Sequence, residues 1–263
     1  CIKQGARFLD FEIYSIDDEP IIAVSSQNQF SFKESYNGIK FIDAMETINM
    51  QAFNNSYCPN YSDPLILHFR IKSKNKEIYK KMSHSIHNTI HNRTLGKKYS
   101  YEYFGNNITK VPIQRFFNKI IIIVDKSNND FEDTPLNEYV NITSNSMFCR
   151  LYRYNDIKNM YDPYELMEYN KKNISIILPD MGYSNSNNNI LLSNTYGCQF
   201  HCMNFQNFDS NMSFNTTFFD ESSSAFILKE DELRYKPIVL AAIKPPKKPD
   251  LNLKHVKSNI ISN

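Results

Sequence analysis

The chain has no tryptophan, only six glycines in 263 residues, and no apolar run long enough to cross a bilayer. A spanning helix needs about 20 consecutive apolar residues, and the longest run here, KIIIIVDK, falls far short. An excess of one charge is missing as well. Thirty Lys and Arg face 28 Asp and Glu, with no long basic stripe, so charge gives no argument for nucleic acid. The five cysteines, Cys1, Cys58, Cys149, Cys198 and Cys202, are odd in number, with no CxxC and no pairing pattern. They read as reduced, buried thiols of an intracellular protein. There is no signal-like start, and the first residue is Cys rather than Met, so an excerpt or a processed chain is expected. Scarce glycine beside plentiful Asn, Ile, Lys and Tyr reads as coding bias rather than chemistry.

What is present is a chain long enough for one large barrel or two modest domains. Strand-like runs alternate with helical patterns. FLDFEIY precedes IKFIDAMETINMQAF, in which Ile39, Ile42, Met45, Ile48 and Phe53 keep roughly helical spacing. DPLILHFRI reads as a buried strand, and KEIYKKMSHSIHNTIHN, with Ile78, Met82, Ile86 and Ile90 four apart, as an amphipathic helix. NKIIIIVDK is continuous and β-branched, suiting a parallel strand covered on both faces. Residues 127–146 are polar and acidic without a clear period and read as a linker or long loop. Beyond them DPYELMEYNKK reads as a helix, ISIILP, GCQFHCMNF and SAFILK as strands, and SNSNNN as a loop. The tail with PPKKPD reads as an exit linker. Alternating strands and helices predict a parallel α/β fold, with a (β/α)₈ TIM-like barrel in two halves as the leading choice.

One pair stands out. Asp10 and Glu12 alternate with Leu9, Phe11 and Ile13, so on a strand both acids share a face. Burial disfavours two adjacent anions, which marks the pair as a metal site, half of a catalytic dyad, or the remnant of one.

KQGARFLDFEIYSIDDEP (3–20) resembles the second-strand signature of eukaryotic phosphoinositide-specific phospholipase C. DPLILHF (63–69) is similar to that family's third strand, and VPIQRFFNKIIIIVDK to its fourth with the preceding loop. YNKKNISIILP, GCQFHCMNFQ and SAFILKEDELR resemble, in order, strands of its second half. The resemblance covers about residues 2–235. It implies a distorted barrel of the phospholipase C type, split into X and Y halves: an X-like half over 1–126 with its first strand upstream, a linker over 127–146, a Y-like half over 147–235, and a tail over 236–263.

The resemblance also implies a chemistry, in which two His and a Ca²⁺ held by an Asn and three carboxylates cleave a phosphoinositide phosphodiester. The two strand acids fall on Asp10 and Glu12, with Glu and Asp exchanged. The second His falls near Ser26, and no His lies before His68. The third metal carboxylate falls on Arg70, where a fixed cation replaces an oxygen ligand. The phosphate-contacting Lys pair falls on Ile123 and Asp125, and the ring-holding Arg and Tyr on Ile176 and Leu178. No Arg occurs between 154 and 233, and no Ser between 147 and 174. The expectation is therefore a phospholipase C-like pseudoenzyme without Ca²⁺ or another cofactor, a binding or structural module in which Arg70 pairs with Asp10 and Glu12. It is expected to be cytoplasmic, with a phosphoinositide-bearing membrane surface or a protein as partner. The alternative is an active phosphoric diester hydrolase with a rebuilt site, using a new acid such as Asp125.

Other constellations carry less. His84, His87 and His91 share a helix face, read as a solvated surface rather than a metal site. Cys198 and Cys202 on one strand face, with His201 opposite, read as core thiols. Asp10 and Glu12 as a glycosidase pair would sit too close for the usual opposed geometry.

Overall fold

The structure is a computed structural model describing residues 1–25, 37–182 and 184–237. Alternation of apolar and polar residues sets the first strand, β1 (Phe8–Ile16), which turns at Asp17–Asp18 into the antiparallel β2 (Glu19–Ile22). Short β3 (Ile39–Lys40) leads into helix α1 (Phe41–Gln51). β4 (Leu65–Ile71) is buried throughout and is followed by α2 (Lys76–Thr89), whose N-terminal Glu77 amide is capped by the Asn75 side chain. β5 (Ile120–Asp125) and β6 (Ile142–Ser144) complete a sheet ordered β3-β2-β1-β4-β5-β6, parallel from β1 to β6.

A second parallel sheet holds β7 (Cys149–Arg153), β8 (Ile174–Leu178) and β9 (Phe200–His201). Its crossovers carry α3 (Tyr154–Lys158), α4 (Pro163–Asn170) and α5 (Leu191–Thr195), with α6 (Ser210–Asp220) beyond. The two sheets form the wall of a parallel α/β barrel. Among the described residues no ladder joins β6 to β7 or β9 to β1; Phe8 of β1 stacks on Phe200 of β9 at 4.5 Å across that seam.

Period two sorts the wall into faces. Odd residues of β1 and β4, such as Ile13, Leu67 and Phe69, pack outward on Met45, Ile48, Ile78 and Met82 of α1 and α2. Ile66, Ile123, Ile142, Ile176 and Leu178 fill the inside. Low on the wall, buried Arg7 donates to the carbonyls of Ala52 and Asp63, and the Asp63 carboxylate accepts from the Ser224 hydroxyl and the Ala225 amide.

Three segments differ from the sequence reading. Residues 127–146 carry a 3₁₀ turn and β6, with Phe131, Leu136, Val140 and Ile142 buried; their irregular spacing hides a packed segment as a loop. The strand read in GCQFHCMNF shrinks to Phe200–His201, because the Gln199 amide ties to the carbonyls of Asn170 and Asn173 and bends the chain there. Cys198 and Cys202 consequently join different clusters, and Cys1 is exposed rather than buried. SAFILK forms no strand, since the Asp63 carboxylate holds its backbone instead.

Arg7→Ala strips the partner from two carbonyls and is expected to lower unfolding stability by about 2–4 kcal/mol. Denaturant titration checks this, and an unchanged midpoint counts against the tether.

Candidate functional site

Strand register brings the polar residues of the interior into two layers. Asp10 lies beside His68, and Glu12 beside Arg70. Asp125 pairs with Ser144 at the C-terminal ends of β5 and β6. The charges thus gather at the mouth of the barrel, over a floor of aliphatic side chains.

Arg70 occupies the centre. Its Nη2 reaches Asp10 Oδ2 at 2.6 Å and its Nε reaches Asp10 Oδ1 at 3.0 Å, a forked pairing. Its Nη1 reaches Glu12 Oε1 at 2.5 Å. The other Glu12 oxygen accepts from the Ser25 amide at 3.1 Å and the Tyr14 hydroxyl at 3.3 Å. Asp10 also takes a 2.7 Å contact from His68 Nδ1, while His68 Nε2 meets Ser144 Oγ at 2.9 Å. Arg70 and His68 are buried. Burial alone would raise the Asp10 carboxyl pKa, but the Arg70 charge and the hydrogen bonds from His68 and Arg70 hold it well below the usual carboxylate range. Burial would lower Arg70, and the charge of Asp10 more than reverses that.

The residues assigned from the resemblance divide into two groups. Asp10, Glu12 and Arg70 come together. Ile123, Ile176 and Leu178 lie in the apolar cluster inside the wall. Asp125 is buried, its Oδ1 taken by the Ser127 amide and hydroxyl and by Asn145 Nδ2. Ser26 lies outside the described residues. His68 and Ser144 were missed. The signal was the even-numbered register of DPLILHFRI against FLDFEIY, which sets His68 beside Asp10 once those strands are neighbours. Lys72 and Arg153 were missed too; burial lowers both pKa values, and the nearby Arg70 charge lowers them further.

Ca²⁺ takes six to eight oxygens. Here the carboxylate oxygens that would converge on it hold a guanidinium, so the donor set does not fit the ion. The order Ser144–His68–Asp10 matches that of a serine triad. Yet Ser144 and His68 are fully buried and Asp10 is shared with Arg70, so no acyl or phosphoryl group reaches the hydroxyl. The chain of contacts cross-links β1, β4 and β6. On α2, His87 Nδ1 meets the Tyr139 hydroxyl at 3.1 Å and His84 meets Asn88. Among the described residues no cluster of three or more His, Cys, Asp or Glu is placed to hold a metal.

Wall and mouth together define a class: a parallel α/β barrel with its polar site at the C-terminal strand ends. Residues 122–232 match the family model of the phosphatidylinositol-specific phospholipase C Y domain. The crystal structure of L. pealei PLC21 superposes with a TM-score of 0.68 at 20% identity, over 88% of this chain and 33% of that one. S. officinalis PLC21 gives 0.62 at 19% identity over the same shares. The chain thus spans about a third of the length of these solved structures. No curated protein matches it by sequence. The chain is thus similar to phosphatidylinositol-specific phospholipase C in sequence over residues 122–232 and in fold over most of its length. Among its described residues no helix is long and apolar enough to cross a membrane.

The depressed Asp10 pKa fixes a pH dependence. Between its native value and the unfolded value of about 4, the unfolded chain binds the extra proton, so stability rises with pH across that window. Stability is therefore fully present above about pH 4 and is lost on acidification through the native value. Asp10→Asn is expected to flatten this acid limb, as read by urea midpoints across a pH series; an equally steep limb in the variant counts against the assignment.

Proposed function

We propose that this barrel has lost Ca²⁺-dependent phosphodiester cleavage and serves as a non-catalytic binding or structural module, cytoplasmic and peripheral to membranes, with a phosphoinositide surface or a protein as partner. The Arg70 guanidinium clamped between Asp10 and Glu12 carries this reading. It supplies permanently the positive charge that a bound cation would bring, but has no open coordination position to polarise a phosphoryl oxygen. Around it, the positions assigned to phosphate and ring contacts are aliphatic or hold a capped carboxylate. On this reading Asp10 and Glu12 are vestigial as metal ligands and have become partners of a buried ion pair.

A second reading, an active phosphoric diester hydrolase with a rebuilt site, draws on His68 between Asp10 and Ser144. Burial of both His68 and Ser144 ranks it lower.

Calorimetric titration with Ca²⁺, run beside a phosphoinositide-hydrolysis assay, separates the two. No binding heat and no headgroup release are expected. Saturable heat with turnover that Asp10→Asn abolishes overturns the non-catalytic reading. Arg70→Glu sets three carboxylates together, so the variant should lose about 3–5 kcal/mol without metal and gain Ca²⁺ affinity. A variant as stable as the parent, with unchanged metal binding, removes Arg70 from the cation's role.

A further inference from the structure

The opposite end of the barrel carries a charge imbalance that the whole chain lacks. Two loops meet at the N-terminal ends of β4 and β5: residues 52–64, which enter β4, and residues 90–119, which enter β5. The Asn118 amide bonds the Ser62 carbonyl at 2.9 Å, and the Leu65 amide bonds the Lys119 carbonyl, so they form one surface. Together they hold Arg93, Lys97, Lys98, Lys110, Arg115 and Lys119 against only Asp63 and Glu102. Both acids are occupied. Asp63 is buried against Ser224 and Ala225, and Glu102 turns to Lys126 and the Thr143 hydroxyl. The net +2 of the chain thus hides a face with no free anion in either loop.

The same face exposes apolar side chains. Ile113 and Phe117 bracket a 3₁₀ turn (Ile113–Phe116) with Arg115 between them; they are 36% and 44% exposed. Tyr57 and Tyr61 of the neighbouring loop are exposed as well. The turn has a firm base: Phe116 is buried edge-on against Tyr99, whose ring lies under the Lys98 ammonium. Two clefts among the described residues are lined mainly by other segments and take in none of Ile113, Arg115 and Phe117, which stand exposed on the turn.

We propose that this face docks on an anionic bilayer, Ile113 and Phe117 entering the interface while Lys110, Arg115 and their neighbours meet lipid headgroups. Apolar residues at an apex ringed by cations suit the headgroup–acyl boundary, where Tyr also partitions. Each cation near a negatively charged leaflet adds its own share of attraction. An acidic peptide or a single-stranded nucleic acid would use the charge but would want a groove or a stacking platform. The aliphatic Ile113 serves neither. Docked this way, the mouth with Arg70 faces away from the bilayer. The proposal stands independently of whether the mouth is catalytic.

The absence of tryptophan supplies the experiment. Phe117→Trp and, separately, Val24→Trp beside the mouth each give the full chain a single tryptophan, excited apart from its tyrosines; Val24 is 71% exposed. With phosphatidylcholine vesicles containing phosphatidylserine at low salt, the Phe117→Trp emission should shift to the blue and the Val24→Trp emission should not. Pure phosphatidylcholine or high salt should abolish the shift. Lys110→Gln with Arg115→Gln should weaken vesicle sedimentation about tenfold or more with the melting curve unchanged. No shift at Phe117→Trp, or a shift at Val24→Trp instead, overturns the proposal. So does tight binding of a single-stranded oligonucleotide or an acidic peptide without vesicle binding. The hydrolysis assay reads a different quantity, so this proposal and the non-catalytic reading fail separately.

Discussion

A barrel interior can accept two neighbouring carboxylates only if something positive sits between them. In this chain that something is Arg70. Its fork takes both oxygens of Asp10 and one of Glu12. The cost of removing three charges from water is several kcal/mol per ion, and it is offset only when geometry and further hydrogen bonds satisfy what remains. Here they do: Tyr14 and Ser25 hold the far side of Glu12, and His68 holds Asp10. The same contacts reach from β1 through β4 to Ser144 of β6, so electrostatic satisfaction and strand register are one constraint. A slip of one residue in β4 would turn His68 and Arg70 outward onto α1 and α2.

That constraint decides what the mouth can do. Phosphodiester cleavage by any protein needs groups that meet the phosphate and stabilise its developing charge. Each of the three Arg70 nitrogens already donates to a carboxylate of Asp10 or Glu12. Ile123, Ile176 and Leu178 complete an aliphatic floor beneath it. The outer packing on α1 and α2 and the inner aliphatic layers hold the wall around this polar site.

Much of this was legible in the sequence, and what was not had identifiable physical reasons. Helices α1 and α2 and strands β4, β5 and β8 follow from strong periodicity or long β-branched runs. Asp10 and Glu12 declared themselves by alternation within β1. The role of His68 depends on which strand lies beside β1, and a single strand's pattern does not carry that neighbour relation. In residues 127–146 four buried apolar side chains are spaced irregularly along turns, so no period marks them. The shortness of β9 follows from Gln199 bonding to two backbone carbonyls and the Ser175 amide, a tertiary contact that overrides the alternation of GCQFHCMNF.

The two ends of the barrel follow different electrostatic rules, which bears on how such a scaffold changes function. At the mouth, buried charges of both signs neutralise one another within hydrogen-bonding distance, leaving little field to reach outward. At the N-terminal edge, the cations of loops 52–64 and 90–119 share those loops only with Asp63 and Glu102, both engaged elsewhere, and act on their surroundings over a Debye length of about 8–10 Å. Parallel barrels separate these two faces by construction, since strand C-termini carry the site and strand N-termini carry the returning loops. The 90–119 segment reaches the inside of the wall through Ile108 and Phe116, and Glu102 anchors it to Lys126 and Thr143. The two ends are joined by packing rather than by charge, because Phe116 beneath the exposed turn shares one apolar cluster with Ile123, Ile176 and Leu178 under the mouth.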